Sequence, residues 1–203
     1  DCSFHAHDNG TIGHMVSTYA IRLYAWSAYA FCDDSLQSTM NGYFDVDSRF
    51  EWLDKIIRPK LLELKTLQEK ISFTEQALLK RLSDVRENTV VNDTIQNILI
   101  NKGSLDIAKL AKKSFVSTRQ LERLFHEYVG ITPKKLSNLI RYQFLWRDIL
   151  CEPDFDVLSA VYKFGYTDQS HLLREFKRYH SMDIHNARIM AFKDVGNIQD
   201  VFV

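Results

Sequence analysis

Apolar positions in the second half of this chain recur at helical spacing, and the whole pattern occurs twice. Leu105–Gly130 reads LDIAKLAKKSFVSTRQLERLFHEYVG and Asp156–Ser181 reads DVLSAVYKFGYTDQSHLLREFKRYHS. Leu121, Arg123, Phe125 and Tyr128 return as Leu172, Arg174, Phe176 and Tyr179, each 51 residues further on. The residues ahead of the turn return one step earlier: Ile107, Leu110 and Ala111 align with Val157, Ala160 and Val161 at an offset of 50. The second turn is therefore one residue longer. Each segment predicts a helix, a tight turn and a second helix, which is a helix-turn-helix unit. Ser117-x-x-Gln120 is a capping box at the start of the first unit's second helix, and Asp168 holds the equivalent place in the second. Such a cap satisfies free backbone N–H groups and contributes roughly 1 kcal/mol.

Thr132-Pro133 opens a helix expected to run from Pro133 to Leu150, with Leu136, Leu139, Ile140, Phe144 and Leu145 as its apolar stripe. Proline suits a first helical position, where its missing N–H had no partner. A helix of this length is roughly 27 Å long. A rod of that size joining two copies of one unit fits a partner that repeats, and the major groove of duplex DNA returns about every 34 Å.

The front half follows other periods. Val16–Phe31 is rich in aromatic and β-branched residues, and Tyr19, Ile21 and Leu23 alternate with Ala20, Arg22 and Tyr24, which predicts a strand. Asn9-Gly10 and Asn41-Gly42 are turn signals. From Ser48 the spacing becomes helical. Ser48-x-x-Glu51 and Ser72-x-x-Glu75 are expected capping boxes, with a break at Pro59 between them. Glu87–Asp93 is polar and turn-like, Asn92 or Asp93 is expected to cap the helix that follows, and Gly103 to end it. The expected fold is mainly α: an N-terminal α+β segment over 1–88, an all-α double helix-turn-helix domain joined by a central helix over 89–190, and a tail over 191–203.

Composition narrows the class. The chain has 203 residues, 45% hydrophobic and 26% charged, with a formal net charge of zero. That total hides an asymmetry. Residues 1–103 carry 11 Lys/Arg against 14 Asp/Glu, while 104–190 carry 14 against 10. The positive excess falls on the repeats, as a nucleic-acid footprint would. No apolar run of about 18 residues is present, so no membrane span is expected, and no signal peptide is visible. The chain begins at Asp1, so a piece of something longer is expected. Cys2, Cys32 and Cys151 have no paired spacing and are expected to be reduced thiols in a cytosol.

LERLF (Leu121–Phe125), GITPKKL (Gly130–Leu136) and FGYTDQSHLLREFKR (Phe164–Arg178), at this spacing, resemble the DNA-binding domain of AraC-type transcription regulators. The resemblance covers about residues 92–188 and implies two helix-turn-helix units on a central helix. It implies base readers at Arg119, Glu122 and Arg123 in the first unit and at Gln169, Ser170 and Arg174 in the second. Lys134, Lys135, His171 and Lys177 fall on backbone-phosphate positions. The family usually has a small residue in the first turn, where this chain has Phe115, and a Gly and a Pro near the end, where it has Ser181 and Ile184. More loosely, residues 12–85 resemble part of the sensor domain of one subgroup, which leaves room for a small-molecule effector and for a homodimer through the front half.

The residue types suit the task. Arginine can give two parallel donors to guanine O6 and N7, glutamine can read adenine, and glutamate can accept from cytosine N4 or orient a neighbouring arginine. Lysines at a helix start favour phosphate. His171 is weighed between phosphate and packing. The reading is a sequence-specific DNA-binding transcription regulator, an activator by resemblance, cytoplasmic and not an enzyme, with no cofactor and no metal. Two rivals stand beside it. One is a small-molecule or metal sensor whose DNA unit is secondary, with Trp26, Trp52 and the tyrosines of Tyr19–Tyr29 lining a pocket, or His5, His7 and His14 binding zinc. The other is an enzyme delivered to DNA. Against it, the chain carries no nucleophile elbow, P-loop or GxGxxG. The operator, the effector, the direction of regulation and the oligomeric state are not encoded in any motif.

Overall fold

The computed structural model describes residues 2–7, 16–32, 36, 44–83, 85 and 87–193. Two compact units divide the chain. The first comprises Asp1–Val91 with Glu122–Thr132, and the second Asn92–Leu121 with Pro133–Val203. The fold is mainly α, as the sequence pattern implies.

In the first unit, β1 (Cys2–His7) pairs antiparallel with β2 (Val16–Ile21), with Cys2 opposite Ile21 and His7 opposite Val16. The expected strand over Val16–Phe31 stops at Ile21, and Ala28–Ala30 form a 3-10 turn instead. The aromatic residues beyond Ile21 make ring contacts rather than a ladder: Tyr24 stacks on Trp26 with centroids 4.8 Å apart, and Phe31 lies 6.2 Å from Trp52. The Asn9-Gly10 and Asn41-Gly42 turns and His14 lie outside the described residues.

Helices follow as α1 (Val46–Arg49), a π-helical turn over Leu53–Ile57, α2 (Arg58–Glu63), α3 (Leu67–Ser83) and the start of α4 (Thr89–Ile100). Three expected starts move. Asp45, not Ser48, precedes α1, and the Ser48 hydroxyl donates back to Asp45 O. Pro59 does not break the chain: it sits in the first turn of α2, directly after the wider π turn, where a missing N–H is tolerated. The capping box of α3 is Thr66-x-x-Glu69 rather than Ser72-x-x-Glu75. Thr66 N donates to Glu69 Oε2 at 2.9 Å and Glu69 N to Thr66 Oγ1 at 3.2 Å. Hydrogen bonds from Thr66 to the carboxylate, its backbone N–H first, hold the Glu69 carboxyl below its usual pKa. Tyr19 reaches α3, its hydroxyl donating to Thr74 Oγ1 at 3.0 Å.

Asn88 Oδ1 accepts from Val91 N, so α4 begins ahead of the expected Asn92 or Asp93 cap. In the second unit Gly103 ends α4 as expected, with φ +74 and its N–H on Ile98 O at 2.8 Å. There follow α5 (Ile107–Lys113), α6 (Thr118–Tyr128, running on into the first unit), α7 (Pro133–Cys151), α8 (Val157–Phe164), α9 (Gln169–His180) and α10 (Ile184–Lys193). The core of this unit joins Leu145 and Ile149 of α7, Ala160, Val161 and Phe164 of α8, Leu172 and Phe176 of α9 and Ala187 of α10. Arg188 ties α10 down by donating from Nη2 to the carbonyl of Glu152 at 3.1 Å.

Candidate nucleic-acid interface

Both turns that set the second helix of each unit are built alike. Asp106 caps α5 by accepting from Ala108 N at 2.9 Å, and Asp156 caps α8 by accepting from Ser159 N at 2.7 Å. At their ends, Val116 N donates to Ala111 O at 3.1 Å and Tyr166 N to Val161 O at 3.0 Å. These are the same bond at the 50-residue offset. The residue between is left-handed in both: Phe115 at φ +55 and Gly165 at φ +66. Glycine adopts that region without penalty, whereas a residue with a Cβ pays roughly 1–2 kcal/mol. Phe115 is 97% exposed, so little packing offsets the strain. Phe115→Gly is expected to raise stability by about 1 kcal/mol once the glycine's extra unfolded-state entropy is subtracted. Urea denaturation checks this, and a less stable variant would contradict it.

The extra residue of the second turn is Thr167, ahead of the cap. Ser117 Oγ accepts from Gln120 N at 3.1 Å, and Asp168 Oδ1 accepts from His171 N at 2.7 Å. Both second helices therefore start with capped, ordered N-termini. In α6, Leu121 and Phe125 are fully buried and Leu124 half-buried, which leaves Arg119, Glu122 and Arg123 together on the exposed face. In α9, Leu172 and Phe176 are buried, and Gln169, Ser170, Arg174 and Lys177 are exposed. Arg174 lies back along its helix, with Nε donating to Ser170 O at 3.1 Å. Lys134 and Lys135 stand exposed in the first turn of α7, after Pro133.

His171 is drawn inward. Its ring meets the Tyr166 ring edge-on at 5.3 Å, and Nε2 lies 3.9 Å from Glu175 Oε2, with 40% of the side chain still exposed. Ser181 takes the left-handed C-cap of α9 at φ +61, with its N–H on Lys177 O at 2.8 Å. Ile184 is the first residue of α10, whose cap is Asp183 accepting from Asn186 N at 2.9 Å. The two sequence departures thus sit at a helix end and a helix start.

Sequence patterning missed the group beneath α9. Glu175 and Arg141 are both buried and joined by two 2.8 Å bonds, from Arg141 Nη2 to Oε1 and to Oε2, with Nε 3.3 Å from Oε1. The Tyr166 hydroxyl donates to Glu175 Oε1 at 2.9 Å, and the guanidinium carbon lies 4.1 Å from the Tyr166 ring centre. Burial, then the nearby Glu175 charge, push the Tyr166 hydroxyl far above its usual pKa. A signal was present: each charge interrupts a stripe of apolar residues, Glu175 between Leu172 and Phe176 and Arg141 beside Ile140. At the far end of α9, Tyr142 hydrogen-bonds His180 Nδ1, and His180 stacks on Phe176 at 4.9 Å. Burial lowers the His180 pKa.

Among the described residues no group of three or more His, Cys, Asp or Glu is placed to hold a metal ion, and no helix is long and apolar enough to cross a membrane. His5 and His7 fall on β1, but their side chains lie outside the described residues. Cys32 and Cys151 are free thiols, half-buried and exposed.

This is a double helix-turn-helix architecture. Residues 110–188 match the helix-turn-helix domain family. The match is to a helix-turn-helix domain of the AraC type. The chain is also 26% identical over 111 residues to an uncharacterized HTH-type transcriptional regulator of Haemophilus influenzae, a stretch covering 55% of this chain and 36% of that protein. The chain thus matches about a third of that relative's length. No solved structure matches.

Proposed function

We infer that this chain is a sequence-specific DNA-binding transcription regulator, an activator, that inserts the N-terminal halves of α6 and α9 into adjacent major grooves. The observation that carries the reading is the repeat of one capped helix on one type of turn, each presenting an exposed polar face with an arginine at the matching place, Arg123 and Arg174. Arg119, Glu122 and Arg123 read bases in one half-site and Gln169, Ser170 and Arg174 in the other. Lys134, Lys135, His171 and Lys177 hold phosphate. The working organisation is a partial sensor and dimerisation segment over 1–88, the DNA-binding domain over 89–190 and a tail over 191–203, in a cytoplasmic, non-enzymatic protein.

A second reading, in which a small-molecule effector bound by the front half governs the DNA unit, has one observation in its favour. Within the first unit, Tyr29 packs edge-on against Tyr128 of α6 at 5.1 Å, and the left-handed Gly130 just after α6 faces Leu36. A change in the front half would be felt at the first recognition helix.

Paired substitutions test the first reading. Arg174→Ala is expected to weaken binding to the preferred site by about 1–3 kcal/mol and to relax preference at one base pair, while Lys134→Ala weakens binding to every sequence alike. Competition titrations against scrambled duplexes separate the two. An equal loss on all sequences for Arg174→Ala would remove its base-reading role.

A further inference from the structure

Glu175 is the one acidic side chain on the buried face of α9, and its partner sits on the central helix. Apolar packing holds α9 against the core but is non-directional. Leu172 and Phe176 press the helix down without fixing its rotation to the tolerance that base recognition demands. A charge-assisted, bidentate bond is directional and short. Here it is made between two side chains that are each 7% exposed, at 2.8 Å, with the Tyr166 hydroxyl on the same carboxylate and the Tyr166 ring under the guanidinium. The Arg141 stem is fixed in turn. Its Cβ lies beside Gly103, where an added Cβ would come within 2.9 Å of it.

Glu175 occupies the position directly after Arg174 and five after Ser170. Whatever sets the direction of Glu175 therefore sets the direction of the proposed base readers. We propose that Arg141 and Tyr166 are positioning residues for DNA recognition: they clamp Glu175 so that α9 presents Gln169, Ser170 and Arg174 at one rotation, and they determine sequence preference in the second half-site without touching DNA. This rests on the DNA-reading function proposed above.

The clamp must be opened without unfolding the domain. Breaking one side strands a buried charge, whereas replacing a buried ion pair by apolar residues of similar volume is often neutral or stabilising. The test is the full chain with Arg141→Met and Glu175→Met together, beside the parent, in selection of bound duplexes from a random library, with thermal melting of both. The expected double variant still folds and melts cooperatively, a little below the parent because the Tyr166 hydroxyl loses its acceptor, keeps nonspecific affinity and the block read by the first unit, and loses roughly tenfold or more preference in the second block, the discrimination of about one bidentate base contact. A folded double variant that keeps both blocks overturns the clamp.

Should the double variant not fold, Tyr166→Phe carries the test. It removes one hydrogen bond and keeps the ring, and is expected to cost about threefold preference in the second block alone. Unchanged preference there likewise overturns the proposal. A parent that enriches no block overturns the DNA reading itself, and the clamp with it.

Discussion

Replacing Glu175 by alanine is expected to lower the stability of the helix-turn-helix domain by about 3–5 kcal/mol. The effect is large because the substitution leaves the Arg141 guanidinium buried without its counter-charge. Both side chains are 7% exposed, so water cannot take the place of the lost carboxylate. The Tyr166 hydroxyl loses its acceptor at the same time. Surface pairs such as Lys60 with Glu63 make the contrast: half-solvated, they contribute little, and removing one should barely register. Urea unfolding of Glu175→Ala measures the difference directly. A loss below about 1 kcal/mol would mean that water or another group reaches Arg141 and that the pair is not the anchor of α9. Since whole domains are stable by only about 5–15 kcal/mol, the variant should be near its unfolding threshold at growth temperature.

Gly103→Ala is expected to cost about 2–5 kcal/mol, summing the left-handed penalty and the displacement of packed backbone. Gly103 closes α4 at φ +74, and a Cβ there would stand 2.1 Å from Ser137 O and 2.6 Å from Arg141 N, both backbone atoms of α7. No side-chain rotation relieves such contacts, so α4 and α7 must separate. Separation also strains the 2.7 Å bond from the Ser137 hydroxyl to Gly103 O. The same urea experiment applies, and a loss under about 1 kcal/mol would show that the α4–α7 approach is looser than described. Phe115 supplies the internal comparison. It too is left-handed, but it is exposed, so strain there acts alone and has the opposite sign on mutation to glycine.

The helix-turn-helix half was readable because local and tertiary demands agree there. The apolar stripe of α9 is also its buried face, and Ser117 and Asp168 both lie where the backbone needs a cap and where the sequence offers one. The front half divides these demands. Ser-x-x-Glu at Ser72 and Thr-x-x-Glu at Thr66 carry the same local signal. What decides between them is the extended backbone at Leu64, ψ 133, just ahead of Thr66. That is set by how α2 ends, which no window around Ser72 encodes. Likewise, alternation after Ile21 looked like a continuing strand, yet among the described residues the ladder with β1 ends at Cys2 opposite Ile21. The Arg141–Glu175 pair escaped for a different reason. Its members are 34 residues apart, and burial of each makes sense only once the other is placed. The positions of Arg119, Glu122, Arg123, Gln169, Ser170 and Arg174 on exposed faces followed from periodicity. What they contact is a matter of chemistry that periodicity does not carry.

Selection of bound duplexes from a random library, at about 150 mM salt so that phosphate attraction alone does not dominate, decides whether both helix-turn-helix units read bases. Two units that both read bases should enrich two short conserved blocks whose centres lie about one helical turn apart. Binding that enriches no sequence and collapses steeply as salt rises would contradict the account, since it would leave the two capped helices with nothing but nonspecific charge.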